Sequence, residues 1–436
     1  MEDENIIISE KNKNIFLPQY DGDVLFVGEI NGLFGTVKDN KIWANDNYDK
    51  LGIIISAIIK KRNVVFCVEE NSLKYVSDVL NAIVNDFGFI STKNINKYCS
   101  STKLNNISRI GEIMKFDYIV QNPPYKGSLH LDFLEKGLDI LKEDGKMVII
   151  EPATWLINVR KNGKAKRYDE IKKRIEGHVE SVVIENLNED FGTAQDFPFA
   201  ITTIDFSKTF DEIEFTCCGE KKAVKSIYDC NLIGDYKTIS SILEKTEKYP
   251  TSLQKRIYKG GDAEAFVRFW NYQLYALGSN YGNVVNQYRD KTIAVYRENA
   301  FGNYFSSYVD SLFYENVQKT VPLSKKKGNP CDCLFGTEEE LNNWIYNAKN
   351  CKLFMFLTST TILDKHNEAR YVTPFLCNKK YTDEEINKMF GFTDEEIALI
   401  NHTIKKFEYD SPWFKRYMCG PDSVSDEEVN NFIESL

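Results

Sequence analysis

Histidine and paired cysteine are scarce in this chain, and that scarcity limits the metal chemistry it can hold. Of its 436 residues four are histidine, and the ten cysteines include no C-x-x-C pair. Structural zinc sites and disulfide frameworks need ligands or partners at such short spacings. We therefore interpret the cysteines as reduced thiols and expect no metal site, although the spacing of Cys217-Cys218 and of Cys331-Asp332-Cys333 resembles that of metal ligands.

The chain also lacks an excess of positive charge. Its net charge is −9 at pH 7, so a surface coated in basic residues is excluded. Any contact with nucleic acid has to come from a local basic strip.

Long apolar runs are missing too. None reaches about 18 residues, the length that a membrane-spanning helix needs. The opening segment MEDENIIISEKNKN has no apolar signal-peptide core. We therefore expect no secretion and no membrane contact, and a location in the cytoplasm (a host's cytoplasm, if a phage encodes the chain).

Short apolar runs alternate with amphipathic stretches from about residue 40 to residue 208. This rhythm is typical of βαβ units and predicts an α/β domain with a largely parallel sheet. Beyond about residue 230 the rhythm is lost, and the chain ends in two helices with capping boxes at Thr382-x-x-Glu385 and Thr393-x-x-Glu396. We predict an N-terminal extension over 1–40, an α/β domain over 41–230 and an α+β domain over 231–436.

One strand of the α/β domain ends on an unusual tetrapeptide. The segment FDYIVQ is rich in the β-branched and aromatic residues of a strand that is covered on both faces. Asn122-Pro123-Pro124-Tyr125 follows, and the two prolines end the strand because they cannot donate to a ladder. Asn122 is thus expected at the carboxyl end of a strand, where open α/β sheets bind their ligands.

The tetrapeptide offers the groups that an exocyclic amine of a nucleobase requires. Such an amine is a poor nucleophile because its lone pair is delocalised into the ring. The side-chain oxygen of Asn122 and the carbonyl of Pro123 would accept its two hydrogens and favour a tetrahedral nitrogen. The prolines fix the direction of that carbonyl, and Tyr125 would stack on the base.

The segment FDYIVQNPPYKGSLHLDFLEKGLDILKEDGKMVIIEPATWL resembles the catalytic core of adenine-specific DNA methyltransferases from type II restriction–modification systems. The resemblance implies a class I methyltransferase fold, which is a Rossmann-like seven-stranded mixed sheet, followed by a C-terminal recognition domain. It implies methyl transfer from S-adenosylmethionine to a flipped adenine, with Asn122, Pro123, Pro124 and Tyr125 as the catalytic motif and Asn122 also near the cofactor. By the same resemblance, Phe197 and Trp155 lie beside the base pocket.

The family has a glycine-rich loop after its first strand and, about two dozen residues later, an acidic residue that binds the ribose. The segment NVVFCVEE supplies Glu69 as the acidic residue, with Glu70 as the less well placed alternative. Counting back from Glu69 favours ANDNYDKLG (44–52) as the loop, with Asp46 and Gly52 near the cofactor. The other candidate is VGEINGLFG (27–35), which is richer in glycine but farther from Glu69.

A basic strip over residues 159–174 is the best candidate for binding phosphates. We single out Lys164, Lys166 and Arg167 as contacts to DNA. A solvated loop and helix face would explain the same charges equally well.

The most favoured function is therefore adenine methylation in DNA, and a larger assembly with a partner subunit stays open. Two alternatives remain. One is a non-catalytic nucleic-acid-binding or scaffold protein that has lost the cofactor, and the other is methylation of RNA or of a protein glutamine amide.

Overall fold

The structure is a computed structural model. It describes residues 21–31, 33–34, 36–38, 41–43, 48–125, 128–159, 165–186, 198–247, 257–258, 266–270, 273–277, 292–296, 311–312, 332–336, 343, 346–347, 350–359, 378–408 and 411–436.

Nine strands form one mixed sheet in the order β5-β4-β1-β6-β7-β9-β8-β10-β11. The strands are β1 (Val24–Gly28), β4 (Val64–Val68), β5 (Cys99–Lys103), β6 (Phe116–Asn122), β7 (Leu141–Pro152), β8 (Val179–Glu185), β9 (Phe199–Asp205), β10 (Ile213–Cys217) and β11 (Glu220–Val224). A separate hairpin of β2 (Thr36–Lys38) and β3 (Lys41–Trp43) lies between β1 and the first helix along the chain.

The first seven strands of this sheet, from β5 to β8, form the mixed and largely parallel arrangement that the sequence predicted. The strands from β5 to β7 run parallel, and β9 is inserted antiparallel between β7 and β8. The expected α/β fold is therefore confirmed. Strands β10 and β11 extend the sheet at the β8 edge, so it has nine strands where seven were expected.

Helices cover both faces of the sheet because alternate strand residues point to opposite sides. On one face Val24 and Phe26 pack with α1 (Tyr48–Ile59), α2 (Ser72–Asp86) and α3 (Thr92–Tyr98). On the other, Leu25 and Val27 belong to the core that holds α4 (Ile107–Ile113), α5 (Leu129–Ile140), α6 (Thr154–Ile157) and α7 (Ala165–Ile175). Both faces of β1 are thus buried.

The position of β1 corrects the predicted N-terminal boundary. Residues 24–28 pair in parallel with β4 on one side and with β6 on the other, so this strand is central to the sheet. The extension expected over 1–40 is wrong for these residues. Residues 41–43 form β3, which pairs with β2 outside the main sheet. The apolar run that ends at Gly28 is instead a buried strand of the main sheet.

The C-terminal helices also correct the predicted domain boundary near residue 230. The chain continues into α8 (Tyr236–Glu247), α9 (Lys352–Ser359), α10 (Asp383–Phe390), α11 (Asp394–Lys406), α12 (Pro412–Cys419) and α13 (Asp426–Glu434). Phe407, Trp413 and Val429 belong to the same core as β10 and β11. Residues 394–434 therefore pack on the α/β domain. The capping boxes at Thr382 and Thr393 are confirmed.

Two ion-paired contacts fix this packing. Nζ of Lys406 on α11 binds the Glu220 carboxylate at 2.5 Å, and both side chains are largely buried. Nζ of Lys245 on α8 binds the Glu396 carboxylate at 2.6 Å, and the Ser241 hydroxyl donates to the same side chain at 2.7 Å. Helices α8 and α11 are thus held together although about 150 residues separate them in sequence.

Between these helices the structure describes six short strands. They form a four-stranded sheet in the order β12-β17-β15-β16 and a hairpin of β13 and β14. Their bounds are β12 (Ile257–Tyr258), β13 (Phe266–Trp270), β14 (Gln273–Leu277), β15 (Thr292–Tyr296), β16 (Ser311–Leu312) and β17 (Asp332–Gly336). A recognition domain within this part of the chain stays a prediction.

Among the helices of the described residues, none has the length and apolar character needed to cross a membrane.

Candidate active site

Three neighbouring parallel strands end side by side at one edge of the sheet. Gly28 at the end of β1 is in register with Val68 of β4 and with Asn122 of β6. Glu69 follows Val68 directly. The chain continues from β1 toward β4 and later returns to β6 on the other side, so this edge is the topological switch point at which α/β sheets bind ligands.

The Asn122 side chain is held in a fixed orientation by the loop that follows β1. Its Nδ2 donates to the backbone carbonyl of Glu29 at 2.9 Å. In return the backbone N–H of Glu29 donates to the Asn122 carbonyl at 2.9 Å. Because the amide nitrogen is engaged on this side, Oδ1 points away from Glu29 and is the side-chain acceptor at the end of the strand, where it receives the Tyr125 hydroxyl.

The reciprocal contact requires glycine at position 28. A β-carbon there would lie 1.9 Å from the Asn122 carbonyl oxygen, and the residue has a φ of +93°, which L-residues rarely adopt. Gly28 therefore lets the two strand ends approach closely. It belongs to VGEINGLFG (27–35), the loop candidate that the sequence had disfavoured.

The loop is also tied to the start of α2. The Glu29 carboxylate accepts from the Ser72 hydroxyl at 2.9 Å and from Nδ2 of Asn71 at 3.3 Å. Glu69 directly precedes this segment, its backbone carbonyl accepts from the Ser72 N–H at 3.0 Å, and it is partly exposed. Its neighbour Glu70 is committed to an ion pair with Lys103 at 2.8 Å. Glu69 is thus the better placed of the two carboxylates for a ligand above the β1 and β4 strand ends.

Tyr125 closes the site on the side of β7. Its hydroxyl donates to Oδ1 of Asn122 and makes a longer contact of 3.4 Å with the Ile150 carbonyl. Its ring lies 5.2 Å from the ring of Phe199, at an interplanar angle of 57°. Burial, together with the nearby Glu151, raises the pKa of the Tyr125 hydroxyl, so it is protonated at all ordinary pH values.

Glu151 is a carboxyl group that sequence reasoning missed. It precedes Pro152 at the end of β7 and is 0% exposed. Neither carboxyl oxygen has a hydrogen-bond partner among the described residues. Burial raises its pKa well above the usual range, and the indole N–H of Trp155 opposes this only in part. The signal in the sequence was an acidic residue inside the apolar run KMVIIEP.

Several predicted site residues are not where the sequence put them. Gly52 lies buried within α1 and not in a loop, because β3 belongs to the hairpin and the first strand is β1. Trp155 is 0% exposed, so its predicted contact with the substrate is corrected to a core position beside Glu151. Asp46, Phe197 and Lys164 lie outside the described residues.

Within the described part of the basic strip, residues 165–174, most charges have acidic partners on the same or a neighbouring helix. The Arg167 guanidinium binds Asp132 at 2.5 Å and Glu135 at 2.6 Å, and thereby ties α7 to α5. Lys172 is buried and donates to the Leu156 carbonyl at 2.6 Å. Lys166 is 88% exposed, with a loose 3.8 Å contact to Glu170. Of the described residues singled out for phosphate binding, Lys166 is thus the accessible one.

Within the described part of the chain, no group of three or more His, Cys, Asp or Glu side chains could hold a metal ion.

No family model matches the chain, and no curated protein matches it. Among solved structures, it is similar to the methyltransferase subunit of a type I restriction–modification system from Streptococcus thermophilus, with 18% identity over 49% of this chain and 48% of that one, at a TM-score of 0.29. It is also similar to the M protein of a type I restriction enzyme, with 11% identity over 47% and 45% at a TM-score of 0.29. A third is the fibrillarin pre-rRNA processing protein of Methanococcus jannaschii, with 17% identity over 43% and 68% at a TM-score of 0.24.

The chain covers about half the length of the two restriction–modification subunits. The three TM-scores lie between 0.24 and 0.29.

Proposed function

We propose that this chain transfers a methyl group from S-adenosylmethionine to the exocyclic amine of an adenine in DNA. The observation that carries the proposal is the orientation of Asn122. Its amide nitrogen is bonded to the Glu29 carbonyl, and its Oδ1 is thereby left as the acceptor at the β6 end, where the substrate amine would replace or join the Tyr125 hydroxyl. A glycine loop and an acidic residue lie at the adjacent strand ends.

The amine needs acceptors and not a base. Oδ1 of Asn122 and the carbonyl of Pro123 would accept one hydrogen each and draw the nitrogen lone pair out of the ring plane. Both acceptors are held by the fold, which removes the reorganisation that water would require. Tyr125, with its pKa raised by burial, has no part as a base and would instead provide a ring face for the purine.

The residues at the strand ends fit the proposed cofactor. When bound, S-adenosylmethionine supplies an electrophilic methyl group on its sulfonium. Gly28 lets the β1 and β6 ends approach each other closely, and the methionine part of the cofactor would lie against the backbone of the loop that follows β1. Glu69 would accept hydrogen bonds from the ribose hydroxyls. The glycine at the end of β1 supports the catalytic proposal over the non-catalytic alternative.

DNA is the substrate that we propose for this site. Lys166, together with Lys164, would contact phosphates, and such contacts position a strand without reading its sequence. An aromatic segment at Phe197 would complete the base pocket. We also propose a restriction–modification setting of the type II kind, in which a partner subunit would complete the assembly.

The test is methyl transfer from radiolabelled S-adenosylmethionine to mixed-sequence DNA that contains no N6-methyladenine. We expect transfer by the parent, with the label recovered as N6-methyladenine. Asn122→Ala should lower the rate by a factor of roughly 100–1000, the usual cost of removing one such hydrogen-bonding group.

Asn106→Ala is the matched control. Asn106 also makes one side-chain hydrogen bond, to the Thr102 hydroxyl at 2.7 Å, but it lies at the β5 edge of the sheet. Its replacement should leave the rate within about twofold of the parent, because the β5 edge lies away from the proposed substrate site. Near-normal transfer by Asn122→Ala would refute the role of Asn122, and label in cytosine or in RNA alone would refute the proposed substrate.

A further inference from the structure

Glu29, in the loop that follows β1, makes contacts in two directions. Its main chain holds Asn122, because its carbonyl accepts from Nδ2 at 2.9 Å and its N–H donates to the Asn122 carbonyl at 2.9 Å. Its carboxylate reaches the start of α2, where it accepts from the Ser72 hydroxyl at 2.9 Å and from Nδ2 of Asn71 at 3.3 Å. One residue thus joins the end of β6 to the start of α2.

Ser72 is the partner that fixes the Glu29 side chain. It is 0% exposed, so its hydroxyl needs an acceptor inside the protein, and the Glu29 carboxylate is one. Its backbone N–H donates to the carbonyl of Glu69 at 3.0 Å. A continuous series of hydrogen bonds therefore runs from Glu69, the carboxylate proposed for the ribose, through Ser72 and Glu29 to Asn122.

Both oxygens of the Glu29 carboxylate are engaged within the protein. Oε1 accepts from the Ser72 hydroxyl and from the backbone N–H of Asn31 at 3.2 Å, and Oε2 accepts from Asn71. A side chain that is anchored at its far end restrains its own Cα and the peptide groups on either side of it. The carbonyl that receives the Asn122 amide is therefore held from the side of α2 as well as from β6.

A second tie attaches the far end of the loop to the same helix. The backbone N–H of Phe34 donates to the Tyr75 hydroxyl at 3.1 Å. The Phe34 side chain is 0% exposed, and its ring lies 5.2 Å from that of Phe26 in the core. This tie does not depend on Glu29, so the loop can stay on α2 when the Glu29 carboxylate is removed.

We propose that Glu29 is a positioning residue, whose carboxylate holds, through Ser72, the peptide carbonyl that orients the Asn122 amide. With the carboxylate anchored, Nδ2 stays on Glu29 and Oδ1 is the acceptor for the substrate amine. Without this anchor the amide is free to turn and to present Nδ2, which is a donor and cannot accept the amine hydrogen. This inference rests on the proposed function, because it assigns the amine of adenine to Asn122.

The first test is the kinetics of methyl transfer to DNA. Glu29→Ala should lower kcat about tenfold, because the acceptor is then correctly oriented for only part of the time. It should leave the KM for S-adenosylmethionine within about threefold, because Glu69 keeps its bond to the Ser72 N–H. Glu29→Gln keeps an oxygen acceptor for Ser72 and should stay within about threefold of the parent in both values. Ser72→Ala should lower kcat as Glu29→Ala does, and the double variant should be no slower than Glu29→Ala alone.

The second test is hydrogen exchange of the Asn122 side-chain amide, followed by NMR in protein labelled with ¹⁵N-asparagine and assigned by the loss of its signal in Asn122→Ala. Glu29→Ala should speed this exchange about tenfold, the value of one hydrogen bond, and Glu29→Gln should not. Tyr75→Phe is the matched control, because it releases the other tie of the same loop; its exchange and kcat should stay within about twofold of the parent. A merely structural role for Glu29 predicts lower stability with unchanged exchange and kcat, and that result would overturn the inference. If Glu29→Ala does not fold, Ser72→Ala replaces it, with the same expectations.

The two measurements separate this inference from the proposed function. Faster amide exchange in Glu29→Ala, with no methyl transfer by the parent, upholds the Glu29 anchor and refutes the enzyme. Methyl transfer by the parent with unchanged kcat and exchange in Glu29→Ala upholds the enzyme and refutes the anchor. Weaker S-adenosylmethionine binding in both Glu29 variants, but not in Ser72→Ala, would mean that the carboxylate contacts the cofactor directly and would also refute the anchor. Unchanged exchange without any methyl transfer refutes both.

Discussion

Gly28 and Asn122 stand opposite each other on two parallel strands, and a β-carbon on residue 28 would lie 1.9 Å from the Asn122 carbonyl oxygen. The obstructing atom belongs to the backbone, so it cannot turn aside as a side chain would. The close approach also allows the two reciprocal hydrogen bonds between Asn122 and Glu29. The identity of residue 28 and the orientation of Asn122 therefore depend on each other.

Gly28→Ala should lower the free energy of unfolding by about 2–4 kcal/mol, since it adds both a clash and a strained φ. Gly88→Ala is the control, because nothing lies within 4 Å of a β-carbon at that position. Its stability should stay within about 1 kcal/mol of the parent. Urea unfolding of the three proteins measures this. Equal stability of the two variants would contradict the close approach at Gly28.

Glu69→Ala should weaken S-adenosylmethionine binding roughly ten- to a hundredfold, because two charge-assisted hydrogen bonds to the ribose would be lost. Glu70→Ala removes the neighbouring carboxylate, which pairs with Lys103, and should have little effect. Isothermal calorimetry with and without DNA gives both values. A parent without detectable binding at millimolar cofactor would end the methyltransferase proposal.

Lys406→Met should destabilise the protein by roughly 3 kcal/mol, because Glu220 would then be left buried without its close partner. Lys406 also lies over the Trp413 ring at 4.4 Å, and this contact would be lost as well. Lys405→Met, at an exposed position of the same helix, should change stability by less than about 0.5 kcal/mol. Thermal and urea unfolding distinguish the two variants, and an unchanged Lys406→Met would show that the ion pair contributes nothing.

Lys172 should make stability depend on pH in the alkaline range. Burial lowers its pKa to about 8 from 10.5, so between these values the unfolded chain binds more protons than the folded one. Stability conferred by this group therefore rises with pH across that window. Relative to Lys172→Met, the parent should gain roughly 3 kcal/mol between pH 7 and pH 10.5. Lys173→Met, at an exposed position, should give no such difference, and a flat difference for Lys172→Met would refute the burial of the charge.

The double variant Lys164→Ala, Lys166→Ala should reduce the salt dependence of DNA binding by about two units of slope, one for each phosphate contact. Arg167→Ala should leave that slope unchanged, because its guanidinium is held by Asp132 and Glu135. Binding measured by fluorescence anisotropy over a range of salt concentrations decides this. A slope reduced by Arg167→Ala alone would mean that the arginine leaves its carboxylates for DNA.

Local patterns predicted the strands and helices whose residues carry their own signals. The strand that ends at Asn122 could be predicted from its apolar run and the two prolines after it. The strand that precedes Glu69 could be predicted from the apolar run at residues 64–68. The capping boxes at Thr382 and Thr393 were readable because capping depends on residues three apart.

Features that depend on pairing between distant segments were not readable. Strand β1 was missed because its short apolar run precedes glycines, and nothing local says that Gly28 pairs with Asn122, 94 positions later. The hairpin at 36–43 lengthens the first βαβ unit and led the count from Glu69 to the wrong loop. Glu151 was overlooked because acidic residues are rarely buried, and only the folded sheet shows that this one is.

The bond between Lys245 and Glu396 makes the chain between helices α8 and α11 an insertion and not an appendage. Both ends of this segment begin at the α8–α11 pair. The ion pair therefore holds the two ends together whatever sequence joins them. A single proteolytic cut inside it would leave two fragments that purify as one particle. The same geometry would let the part between α8 and α9 be exchanged for another of different length without disturbing the sheet that carries Asn122.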